Sequence, residues 1–70
     1  MKKMLTFQFH EDAKCPSCGK SLDNAPARDF IVFAVGDIPT AAPQHDQCGW
    51  CDKTYAAQFI GDNKITFTAQ

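Results

Sequence analysis

Hydrophobic positions along this 70-residue chain come in short clusters of two kinds, alternating and continuous. From Met4 to His10 they alternate, with Leu5, Phe7 and Phe9 on one face and Thr6, Gln8 and His10 on the other. That period of two predicts a half-buried strand. Phe30–Val35 is continuous, β-branched and aromatic, and is stopped by Gly36-Asp37, so it predicts a central strand buried on both faces. Thr54–Ile60 fits two periods. Tyr55 and Phe59 are four apart, with Gly61 placed to cap a short helix, yet Tyr55, Ala57 and Phe59 also line one face of a strand. The next segment decides between them: Gly61-Asp62-Asn63 reads as a turn and Ile65–Thr68 alternates, so the pair predicts a β-hairpin.

The polar segments complete the plan. Glu11–Lys14 is expected to turn into Cys15. Lys20–Ala27, with its Asn24-Ala25-Pro26, reads as a short strand end followed by a turn or loop. Pro39 and Pro43 hold Ile38–Gln44 out of regular structure, as a loop that could carry contacts. His45–Gln47 leads into Cys48. The chain shows no heptad, internal repeat or low-complexity run. The expectation is one domain over residues 1–70, since this length leaves no room for a second. A core this small rarely supplies more than ~3–5 kcal/mol, so a disulfide, a metal or a partner subunit is needed to hold it.

The four cysteines supply the means. They stand in two pairs, Cys15-Pro-Ser-Cys18-Gly-Lys20 and Cys48-Gly-Trp-Cys51-Asp-Lys53. A Cys-x-x-Cys turn lets two thiolates reach one ion, and two such turns complete a tetrahedral shell. Pro16 presets the first turn, and Gly19 follows its second cysteine, where the chain turns back and positive φ is useful. Asp52 stands where the first pair has Gly19, and Asp enters the left-handed region more readily than most residues. Backbone N–H groups are expected to point at the sulfurs, with Lys20 and Lys53, at matching positions, offsetting thiolate charge. Metal ligands are therefore assigned to Cys15, Cys18, Cys48 and Cys51, and the favoured cofactor is one structural zinc ion.

With these motifs in view, the chain resembles a zinc ribbon. "CPSCGK" is similar to that family's knuckle throughout, whereas "CGWCDK" is similar in its cysteines and the following lysine. The likeness spans roughly Phe7 to Phe67. It implies a small metal-stabilised mainly-β fold, with two knuckles, each ending or opening a hairpin, brought together by the metal over a small antiparallel sheet. A fainter likeness to rubredoxin rests on the 29 residues between Cys18 and Cys48 and on Gly36-Asp-Ile-Pro39. The chain lacks rubredoxin's aromatic pair after the first knuckle and its Cys-Pro-x-Cys-Gly second knuckle. Iron is the less favoured metal. Two disulfides, for which four cysteines allow three pairings, and a thioredoxin-like redox motif are the remaining alternatives.

Charge and targeting narrow the function classes. Lys2 and Lys3 precede an apolar patch, but Met4–Phe9 is interrupted by Thr6 and Gln8 and falls short of the ~7–15 residues of a signal sequence. Nothing approaches the ~20 apolar residues of a membrane span. Cytoplasmic location is the expectation, and reduced thiols there favour metal over disulfide. Net charge is −1, with seven scattered basic residues and Arg28 the single arginine. Four thiolates around one zinc ion would take it to about −3. That is a poor footprint for phosphate backbones. His10 and His45 read as surface or turn residues, and Glu11-Asp12 as solvated turn charges. A closed four-thiolate site leaves no position for an activated water, and no nucleophile constellation is visible, so an enzyme is not expected. Trp50, between two ligands, reads either as an exposed partner contact or as a cover folded over the metal site, onto Pro16 or onto Tyr55. The expected role is a protein-interaction or regulatory module. Nucleic-acid binding is the alternative, and rubredoxin-like electron transfer the third reading.

Overall fold

The alternating amino-terminal segment forms β1 (Met4–Gln8) of the computed structural model, which describes residues 3–70. Lys2, half of the basic pair ahead of the Met4–Phe9 patch, lies outside the described residues. The remaining strands are β2 (Asp12–Lys14), β3 (Ser21–Pro26), β4 (Gln44–Gln47), β5 (Thr54–Gly61) and β6 (Lys64–Ala69), with one 3-10 turn at Ala27–Phe30. They make two antiparallel sheets: four strands in the order β1-β6-β5-β4, and the hairpin β2-β3. Among the described residues no helix is long and apolar enough to cross a membrane.

The carboxy-terminal hairpin follows the expected pattern. Asp62 and Asn63 both take positive φ, 53° and 59°, giving a two-residue connection whose twist matches that of the flanking strands. Gly61, at φ 94°, absorbs the irregular register between Phe59 and Lys64. β6 then lies between β5 and β1, and its Ile65 and Phe67 are fully buried. Phe67 is the hub of the core, with Phe7, Tyr55 and Phe30 around it at ring-centroid distances of 5.4, 5.5 and 5.6 Å. Two of the three contacts are edge-to-face, the arrangement that the ring quadrupoles favour.

Three expectations are corrected. Phe30–Val35 is not a central strand: Phe30 closes the 3-10 turn and Ile31 is buried, but Val32 and Val35 are exposed and only Phe33 makes an isolated bridge, to Pro39. The physical reason is that the central places are taken: β5 and β6, the interior strands of the larger sheet, are paired on both sides by β4, β1 and each other, which leaves only the outer edges of β1 and β4. The run instead folds into a small finger, with Ala34 N–H donating to Ile38 O (2.7 Å) and Thr40 N–H to Val32 O (3.1 Å). Its base is tied down by Phe33 against Phe9 and under the Arg28 guanidinium. Ile38–Pro43 lies outside the strands as expected, apart from the Pro39 bridge, but Gln44 already belongs to β4. Lastly, Glu11–Lys14 contains β2, and in Lys20–Ala27 the expected short strand end extends as β3 to Pro26, although consecutive positive φ values at Asp23 and Asn24 kink it.

Candidate metal centre

Each cysteine pair sits in the connection of a hairpin, and the two connections share one backbone plan. In the first, β2 and β3 pair Lys14 with Ser21; Cys15 N–H then donates to Lys20 O (2.9 Å) and Gly19 N–H to Cys15 O (2.8 Å). In the second, β4 and β5 pair Gln47 with Thr54, Cys48 N–H donates to Lys53 O (2.9 Å) and Asp52 N–H to Cys48 O (3.0 Å). Gly19 and Asp52, the equivalent positions, both take positive φ, 79° and 60°. The sequence-based reading of Asp52 as a stand-in for glycine therefore agrees with the backbone.

The turns aim N–H groups inward, as expected. Cys15 Sγ accepts from the N–H groups of Ser17 (3.3 Å) and Cys18 (3.4 Å), and Cys48 Sγ from that of Trp50 (3.3 Å). The four sulfurs, Cys15, Cys18, Cys48 and Cys51, lie within 4.8 Å of one another. Across the two knuckles, Cys15–Cys51 is 3.7 Å and Cys18–Cys48 is 3.8 Å. A tetrahedral shell with metal–sulfur bonds of ~2.3 Å has edges of about 3.8 Å. The donor set thus fits one metal ion, and zinc and iron both accept it. These separations are far beyond a disulfide bond, and all four thiols are free.

Electrostatics point the same way. Burial opposes ionisation of the Cys15 thiol, but the N–H groups of Cys18 and Ser17 and the thiols of Cys18 and Cys48 outweigh it and lower it to about 6. For Cys51 the Lys53 N–H favours the thiolate, yet desolvation and the neighbouring Cys15, Cys48 and Cys18 sulfurs push it up to about 11. A cluster that gives up one proton early and another late needs a cation to hold it as four thiolates.

The Lys20 ammonium sits 4.8 Å from the centre of the Trp50 ring. Trp50 itself is two-thirds exposed and reaches across to the first hairpin, its Nε1–H donating to Ser21 O at 3.3 Å. It forms one wall of a cleft of about 750 Å³ between β3 and the β4–β5 hairpin. Asp23, Asp46, Ser21, Phe30 and Tyr55 also line this cleft, and sequence reasoning did not single out the first three. One signal was present: once Cys48–Cys51 is taken as a hairpin connection, counting outward pairs Gln47 with Thr54 and Asp46 with Tyr55. Burial, then the charges of Asp46, Cys48, Asp23 and Cys15, push the Tyr55 hydroxyl up to about 12, so it stays protonated. His10 and His45 are outside the sulfur cluster.

The fold and site define a small antiparallel β protein with a four-cysteine centre built from two Cys-x-x-Cys knuckles. Compared with protein-family models, curated proteins and solved structures, the chain matches none. The zinc-ribbon likeness is thus carried by the knuckles and hairpins themselves.

Proposed function

We propose that this chain is a small binding module for another protein, in which Cys15, Cys18, Cys48 and Cys51 hold one structural zinc ion. The observation that carries this reading is the placement of Trp50. It is an exposed indole fixed by a hydrogen bond, projecting from a knuckle whose backbone a metal would make rigid. Trp anchors of this kind are enriched among the residues that dominate protein interfaces. Zinc in such a site supplies folding energy, ~10–16 kcal/mol of apparent binding free energy in small domains. It supplies no chemistry, because four protein donors leave no place for a substrate or water. That supports a non-enzymatic role. The mildly acidic charge favours a protein over a nucleic acid as the client.

Native mass spectrometry with elemental analysis, on protein made with both metals available, tests the site. One zinc per chain is expected; one iron and a red solution would make it an electron carrier. Capture from the native extract then compares the loaded protein with a Cys48→Ser/Cys51→Ser variant and with Trp50→Ala. A protein partner held by the loaded form and lost in both variants is expected. Steeply salt-dependent binding to RNA or DNA, with no protein partner, would replace this reading by the nucleic-acid one.

A further inference from the structure

We propose that the cleft between β3 and the β4–β5 hairpin receives an arginine side chain of the partner protein, its guanidinium meeting Asp23 and Asp46 and its flat face an aromatic wall. The inference rests on the protein-binding reading above and specifies the chemistry of the contact. The cleft, about 750 Å³, lies within the ~300–1,000 Å³ typical of pockets that enclose a small ligand or a short stretch of chain. Its hydrophobic walls are Trp50, Phe30 and Tyr55, so an occupant with a flat apolar surface is favoured.

The polar groups of the cleft lack donors. Among the described residues the Asp23 carboxylate has no ion-pair partner, and the Asp46 carboxylate accepts only from the N–H of its neighbour Gln47 (2.8 Å). The Ser21 hydroxyl oxygen is buried with no hydrogen-bond partner. The Trp50 N–H, the donor that could have served them, is already committed to Ser21 O. Lys20 is the one cation among the lining residues, and it is stacked on the indole. Asp46 stands directly across the ladder from Tyr55, which places a carboxylate beside the aromatic floor.

An occupant must therefore bring several hydrogen-bond donors, positive charge and a face that stacks. A guanidinium has all three: five N–H donors in a rigid planar fork, a permanent charge and an affinity for aromatic faces. A lysine ammonium is a point charge without the plane, and a phosphate would meet two carboxylates and a thiolate cluster. The negative balance of the chain draws a cationic segment toward the cleft.

The test is an NMR titration of the metal-loaded, isotope-labelled protein with the peptide acetyl-Ala-Arg-Ala-amide. Its citrulline and glutamate counterparts serve as controls. Saturable shifts are expected at the Trp50 indole N–H and the amides of Ser21, Asp23 and Asp46. The citrulline peptide should bind about tenfold more weakly, since hydrogen bonds to charged groups are the stronger ones. Asp23→Asn with Asp46→Asn should weaken the arginine peptide by about tenfold while the spectrum stays dispersed, because Asn tolerates positive φ at position 23 and can still accept from Gln47. Lys20→Met should instead tighten binding by about threefold, as it clears the resident cation from the indole. No saturable shift, equal binding of the glutamate peptide, or indifference to the Asp substitutions would overturn the proposal. So would a uridine oligonucleotide shifting the same resonances when the arginine peptide does not. If metal-dependent protein capture persists while the peptide fails, the cleft assignment is wrong and the binding module stands. If both fail, both are wrong.

Discussion

The two knuckles are copies of one backbone carrying different side chains. Each closes a hairpin, donates from its first cysteine N–H across the turn, and passes through positive φ one residue after its second cysteine. In each, the N–H two residues after the first cysteine points at that cysteine's sulfur, at 3.3 Å in both. The first cysteine of each, Cys15 and Cys48, is buried, while the second is exposed at Cys18 and half-buried at Cys51. The outer halves diverge. The first has Pro16, buried, and Ser17, exposed; the second has Gly49 and the exposed Trp50 at the same places. Metal geometry constrains backbone and sulfur, and nothing else on the turn. The tip is therefore free to vary, and only the second knuckle places a large exposed aromatic side chain there.

The largest test of this equivalence is to remove what both knuckles share. Demetallation by chelator should abolish the cooperative thermal transition and collapse NMR dispersion. The metal would contribute ~10–16 kcal/mol, and the core no more than ~3–5 kcal/mol. Cys15→Ser and Cys48→Ser should impair metal retention to the same degree in native mass spectra. A protein that kept one knuckle ordered after losing the other's ligand would break the equivalence.

Next in size is the turn-back residue. Gly19→Ala should cost about 1–2 kcal/mol in denaturant titrations, for holding an L-residue in the left-handed region. An added Cβ at Gly19 meets nothing within 4 Å, so that cost is conformational rather than steric. At the tip, Trp50→Ala should lower stability by less than about 1 kcal/mol, since the side chain is mostly exposed and its single hydrogen bond is a surface one. Its effect on partner capture should be far larger. The smallest change is expected from Asp52→Gly, a gain or loss of only ~0.5 kcal/mol, because Asp already occupies φ 60° at modest strain. A loss as large as that of Gly19→Ala would show that the second turn relies on the Asp52 side chain as the first does not rely on Gly19.

Legibility in the sequence followed the range of the interactions. β1 was readable because Leu5, Phe7 and Phe9 alternate against one core face. The β5–β6 hairpin was readable because Gly61, Asp62 and Asn63 prescribe a turn locally. The ligand set was readable because Cys-x-x-Cys spacing confines both sulfurs of a pair within four residues. Phe30–Val35 misled for the opposite reason. Its composition suits a central strand, but β5 and β6 hold the interior of the sheet, flanked by β4 and by β1 from the other end of the chain. β2 and β3 were under-read because a strand across from its own knuckle can be short, kinked and polar and still pair.

By itself the sequence determined the four sulfur donors, the turn residues that aim them and the hairpin at the carboxyl end. Each of these is set by contacts within one knuckle or one hairpin. Which way Trp50 leans, and that it meets Ser21 and Lys20 from the other hairpin, was decided only by tertiary structure. So was the cleft that joins Asp23 to Asp46. Those groups are more than twenty residues apart along the chain, and they meet because the sulfur cluster sets one knuckle against the other.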